Sequence, residues 1–186
     1  MGRTLAGLLL LLCGLPALSW SADEALVTRL KNERACKKCD FQYTDWQGVD
    51  LSGVDVSGAF FLKCRMNGVK LTDGRLVWSN LEMAELIEAD LSRADLTGAD
   101  LRQSNLTRAK FTKAYLYGAN MAGAKAVEAD FSDAFLKGIN LTGADLRSSN
   151  FKGANLERAV LTDVLLDGAI WTDGKICAAK SKGECR

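Results

Sequence analysis

Along most of the chain an apolar residue returns at every fifth position. In "EADLSRADLTGADLRQSNLTRAKF", residues 88–111, the beat is a small residue, a polar one, a leucine or phenylalanine, then two variable positions. If the central apolar residue is position i, it falls at 41, 46, 51 and so on to 176, and all 28 such residues are apolar. Fifteen of the residues at i−2 are alanine, and only Ile139 there is large. A period of five suits neither an α-helix, which repeats every 3.6 residues, nor a strand, which repeats every two. Positions i−2 and i point to the same side of a short extended stretch. Because five is odd, the chain must turn a corner once per repeat to keep every i inside. Eleven of the thirteen glycines between residues 39 and 178 sit at i+2, where a positive φ is open to them. The single proline, Pro16, lies ahead of the repeats and removes no ladder N–H from them. Short strands and turns arranged in this way predict a solenoid.

The motif A-(D/N)-L-x-x, as in "ADLSR", "ADLTG", "ANLER" and "ANMAG", resembles the pentapeptide-repeat family. The resemblance implies an all-β fold, a right-handed quadrilateral β-helix solenoid with four repeats per coil. The 28 repeats would then make about seven coils, a shaft of roughly 30 Å at the usual strand spacing. Four repeats per coil place residues twenty apart in register. One interior column would read Leu51, Leu71, Leu91, Phe111, Phe131, Phe151, Trp171, and a second Val56, Leu76, Leu96, Leu116, Leu136, Leu156, Ile176. The aromatics gather in one column, which favours that register. Outside, Asp50, Lys70, Asp90, Lys110, Asp130 and Asn150 alternate in charge and predict a cross-strand ladder of about 0.2–1 kcal/mol per pair.

The ends depart from the beat. "MGRTLAGLLLLLCGLPALSWSA" has one basic residue, an apolar run from Leu5 to Leu12, and small residues at Ala17, Ser19 and Ser21. That is the anatomy of a secretory signal peptide over residues 1–21, too short to remain as a membrane span. Leu11 and Leu12 ahead of Cys13 do not match a lipoprotein signal. The expected organisation is a signal peptide at 1–21, a helical cap at 22–38, the repeat shaft at 39–178 and a tail at 179–186. In the cap, Asp23 is a candidate N-cap, and Leu26, Val27 and Leu30 form an apolar stripe to lie over Phe41 and Trp46. In the last coil the outward position i−1 becomes Val160, Leu165 and Ile170, which need covering by the tail or by a second copy. Dimerisation through that end is what the resemblance keeps open, so the expected state is a monomer or an end-to-end homodimer.

An exported chain can form disulfides, and five cysteines follow the signal. Cys36 with Cys39 and Cys177 with Cys185 are the expected structural pairs, leaving Cys64 inward and small. A bond from Cys36 or Cys39 to Cys64 stays open, since connectivity is not readable from sequence. "CKKC" lacks the context of a redox motif and the second pair or histidine of a zinc site.

Charge narrows the function classes. The 24 basic residues less Arg3, against 23 acidic ones, leave a net charge of zero after signal removal, and there is no histidine. A basic surplus for nucleic acid is missing, as are the commonest general base and metal ligand. Asp90, Asp95, Asp100 and Asp145 fall in repeat register, on successive faces that do not converge. No catalytic residues, cofactor or metal site are therefore expected. Tyr115, Tyr117 and Phe135 stand at outward or variable positions and form a candidate partner-binding patch. Trp78, with Val77, Phe60 and Met83 near it, forms a second. The plainer alternative is local packing that shields the ladder. The "NLT" triplets at Asn105 and Asn140 arise from the repeat itself. The expected function is an exported, non-enzymatic scaffold for protein–protein interaction, periplasmic or secreted in a bacterium, lumenal in a photosynthetic organism. After signal cleavage it has no membrane contact. The alternative suggested by the resemblance, a DNA mimic that binds topoisomerase, is disfavoured by neutral charge and the export signal.

Overall fold

The computed structural model describes residues 24–186. The signal segment, Asp23 and the side chain of Leu26 lie outside the described residues. Helix α1 spans Glu24–Glu33. Its Leu30 is fully buried in the core that holds Phe41 and Trp46, and Val27 packs against that core. The helix closes with the N–H of Arg34 donating to the carbonyl of Leu30.

From Ala35 onward, single-residue parallel bridges join each i−1 residue to the one twenty further on, in an unbroken series that ends at Asn150 with Ile170. The chain is therefore a coil of four five-residue sides per turn. Each side is too short to bridge through more than one residue. The same three backbone bonds link successive coils. Leu51 N–H donates to Lys70 carbonyl at 2.7 Å, Gly53 N–H to Thr72 at 2.8 Å, and Lys70 N–H back to Val49 at 3.0 Å. At each corner from Phe41 onward the N–H of i+3 turns back to the carbonyl of i, as Val54 does to Leu51. The residue at i+2 takes the positive φ that this turn requires. All 27 i+2 positions from 38 to 168 have positive φ, and sixteen of them are not glycine. Glycine eases the corner without defining it. A residue with a Cβ accepts about 1–2 kcal/mol of strain there.

The interior is columnar. Phe111, Phe131 and Phe151 stack face to face at 4.9 and 5.0 Å, within 4° of parallel, and Trp171 tilts against Phe151 at 5.7 Å. Buried Ser79, Ser104 and Ser149 return their hydroxyls to the carbonyls of Leu76, Leu101 and Leu146.

Four expectations are corrected. The ladder starts at Ala35 rather than 39, because Cys36 already occupies an inward position. It ends at Ile170 rather than 178. Gly174, with φ of 86°, reverses the chain where a further repeat would have run straight. The tail then returns antiparallel, pairing Ile176 with Ile170 and Lys182 with Leu165. Ile176, expected inside, is consequently 71% exposed. Finally, Asp50, Lys70, Asp90, Lys110, Asp130 and Asn150 are neighbours as expected and Asn150 donates its amide to Asp130, but among the described residues no charged member of the column forms a direct ion pair with another. The carboxylates of Asp50, Asp90 and Asp130 turn instead to their own backbone, accepting from the N–H of Ser52, Ser92 and Ser132.

Candidate interaction face

That backbone bond explains the aspartates. At i−1, an Asp or Asn oxygen accepts the N–H two residues on, as Asp95 does from Thr97 at 3.1 Å and Asn140 from Thr142 at 3.0 Å. Each is an Asx turn that prepares the following corner. Asp90, Asp95, Asp100 and Asp145 all act this way, toward Ser92, Thr97, Arg102 and Arg147. In Asp145 the Arg147 guanidinium, with the N–H of the same residue, holds the carboxyl below its ordinary range against the opposing effect of burial. These groups are engaged in the scaffold and face away from one another. Among the described residues no cluster of three or more His, Cys, Asp or Glu could hold a metal ion. No helix there is long and apolar enough to cross a membrane.

The cysteines are likewise structural. Cys36 is bonded to Cys39, and Cys177 to Cys185. Cys64 is a buried thiol that donates to the Phe41 carbonyl, and burial pushes its pKa up. Of the three apolar residues at the far end, Leu165 and Ile170 pair with the tail, whereas Val160 stays 45% exposed beside the half-buried Leu156 and Leu161.

The outward aromatics converge on one side of the shaft. The twenty-residue register stacks 75–78, 95–98, 115–118 and 135–138 on a single face. Tyr115 and Phe135 bridge each other and stack at 4.7 Å, 4° from parallel. Tyr117 stands beside them. Trp78, 71% exposed, lies two coils toward the N-terminus on the same face. Its six-membered ring covers Gly98, where any Cβ would collide with it. Val77 shares the groove beside Trp78, and its other two expected neighbours lie next along the coil. Phe60 bridges Asn80 on the adjacent side, and Met83 sits at the corner beyond.

Two shallow grooves border these rings. One, of about 470 Å³, is walled by Tyr115 and Phe135 and by Asp73, Arg93, Lys113 and Asp133. In it Arg93 clamps Asp73 through two bonds of 2.7 and 2.6 Å, and that clamp holds the Asp73 carboxyl below its ordinary range. The other, of about 270 Å³, lies N-terminal to the first and is lined by Lys37, Lys38, Arg75, Val77 and Trp78 with Ser57 and Gly58. The basic residues of this face were not singled out from the sequence. Spaced along the chain, they look like ordinary solvated charges, and only the twenty-residue projection brings them together.

A family model for pentapeptide repeats matches eight copies over residues 36–73, 84–123 and 127–163, more than half of the chain. Among similar solved structures is HetL, a pentapeptide repeat protein involved in heterocyst differentiation regulation from the cyanobacterium Nostoc sp. strain PCC 7120. It is 25% identical over 83% of this chain and 99% of that one, with a TM-score of 0.26. A pentapeptide repeat protein from the Arabidopsis thaliana thylakoid lumen is 27% identical over 71% and 83%, with a TM-score of 0.35. A trypsin-treated form of QnrB1, a plasmid-mediated fluoroquinolone resistance protein, is 23% identical over 72% and 82%, with a TM-score of 0.37. No curated protein matches the sequence. All three TM-scores lie below 0.5, and the family assignment rests on the repeat match.

Proposed function

The chain belongs to the pentapeptide-repeat family, and from that premise we propose that it is an exported, non-enzymatic scaffold that binds a protein partner through its aromatic face. The shaft is read as a right-handed β-helix of about seven coils, closed by helix α1 at one end and by the cysteine-tied tail at the other. The observation that carries the reading is the gathering of Tyr115, Tyr117, Phe135 and Trp78 on one of four sides. Outward aromatics there add nothing to the core, and grouped exposed rings are what partner contacts use. Export is supported by the signal-like segment 1–21 and by two disulfides, which persist in oxidising compartments. A duplex mimic would want acid along its sides, whereas this face presents Lys38, Arg75 and Lys113 without ion-pair partners among the described residues.

The test is affinity capture from the exported fraction with the wild-type chain and with Tyr115→Ala/Phe135→Ala. Partners retained by the wild type and lost by the variant are expected. Identical captures would remove the aromatic face from consideration.

A further inference from the structure

We propose that the partner presents an acidic, extended peptide that lies along this face, its carboxylates over the N-terminal groove and an apolar side chain in the groove beside Tyr115 and Phe135. The inference rests on the aromatic face being a contact surface. The two grooves differ in charge. The N-terminal one is lined by Lys37, Lys38 and Arg75 and by no carboxylate. Lys37 leans on Asp55 at 3.1 Å, while Lys38 and Arg75 make no ion pair among the described residues. Trp78 and Val77 supply its apolar wall. In the other groove the charges cancel, Arg93 and Lys113 against Asp73 and Asp133, so what remains is ring edge and alkyl stem. One end therefore selects an anion and the other an apolar group.

The spacing suits a peptide. The grooves are centred two to three coils apart, about 13 Å, which about four extended residues span. The rings argue against a nucleic acid. Tyr115 and Phe135 stack on each other, so no base can slot between them, and the outer faces of the pair are flanked by Asp95 and Asn155. The basic track is also short, interrupted by Asp95, Asp133 and Glu157, where a nucleic acid backbone wants continuous positive charge. Asp95 lies on the peptide's path, with its carboxylate turned to the N–H of Thr97.

The experiment uses the full exported chain and three labelled probes: Glu-Asp-Glu-(Gly)4-Phe-Leu, the same peptide with Lys in place of each acid, and oligothymidylate. Anisotropy titrations at low and moderate salt should find the acidic peptide bound about tenfold more tightly than the basic one, with the difference shrinking as salt rises. Lys38→Glu/Arg75→Glu should erase that preference. Tyr115→Ser/Phe135→Ser should weaken both peptides about equally. All four side chains are outward, and unchanged melting curves will establish that the variants fold. If the reversal variant melts early, Lys38→Gln/Arg75→Gln replaces it. Equal binding of acidic and basic peptides overturns the proposal. So does oligothymidylate binding lost in the same variants, or no acidic-peptide binding at millimolar concentration. Captured partners that depend on Tyr115 and Phe135 but not on Lys38 and Arg75 overturn the acidic peptide while leaving the contact face standing.

Discussion

If the aspartates at i−1 serve the turns, then Asp130→Asn should be nearly silent and Asp130→Ala should not. Asp130 accepts from the N–H of Ser132 at 3.0 Å, from the hydroxyl of Thr112 at 3.0 Å and from the amide of Asn150 at 3.1 Å. Alanine removes all three acceptors at a half-buried site, which should cost about 2 kcal/mol after solvent compensation. Asparagine keeps an oxygen for Ser132 and Asn150 and offers its amide to Thr112. Asn140 and Asn155 make the same turn bond at 3.0 and 2.9 Å, so this change should cost no more than about 0.5 kcal/mol. Acid separates turn from charge. Burial raises the Asp130 pKa, but the bonds from Ser132, Thr112 and Asn150 outweigh it and hold the carboxyl below its ordinary value. A depressed folded pKa gives stability that is fully present above the unfolded pKa of about 3.9 and lost as pH falls through the folded value. The wild type should therefore lose stability below about pH 4 more steeply than Asp130→Asn does. Urea midpoints at pH 7 and pH 3, with unchanged m-values, measure both effects. If asparagine proves as costly as alanine at pH 7, the charge rather than the turn is what the scaffold uses, and the reading fails.

Three other outcomes follow from the packing. Phe131→Ala should cost about 4 kcal/mol, and Phe131→Leu about 2, since leucine nearly fills the site but loses the stacks on Phe111 and Phe151; a urea midpoint for Phe131→Leu equal to that of the wild type would deny the stacking. Gly98→Ala should displace Trp78 and shift its fluorescence, whereas Gly118→Ala, which meets nothing within 4 Å, should show only the turn strain of about 1 kcal/mol. The raised pKa and burial of Cys64 predict no labelling by a thiol reagent at pH 8 in the folded chain and full labelling in urea, followed by peptide mapping; labelling of the folded chain within minutes would contradict its burial.

The shaft was legible because an odd period leaves the chain only one way to keep Leu91, Leu96 and Leu101 on the inside. The twenty-residue register came from the resemblance, which implies four repeats per coil; the aromatic column favoured it, and Phe111 to Phe151 stack as that column requires. The ends were less legible. Ile176 keeps the apolar beat perfectly, yet the turn at Gly174 sends it outward; Gly74 holds the same place in the repeat without a positive φ. Composition cannot distinguish those two glycines, because the difference is whether a further coil exists to receive hydrogen bonds. The candidate face needed only the twenty-residue projection. Its grooves needed the side-chain directions as well, for the lean of Trp78 over Gly98 is what walls the basic groove.

Tyr115 and Phe135 also set stability against contact, and that opposition can be measured. Their column runs Asp95, Tyr115, Phe135, Asn155, and the two outer members make the turn bond to Thr97 and Glu157. The aromatics cannot, so the N–H groups of Tyr117 and Lys137 meet no acceptor among the described residues. Two lost turn bonds cost about 1 kcal/mol each. One ring stack returns about 0.5–1.5 kcal/mol, so the pair is at best neutral for the scaffold. Tyr115→Asn/Phe135→Asp would continue the column with acid and amide side chains in alternation and restore both turns. The double variant should unfold at an equal or higher urea concentration while losing the captured partner. A variant destabilised by more than about 1 kcal/mol would mean that the rings hold the shaft together. They would then be packing, and the case for a contact face on this side would fall with them.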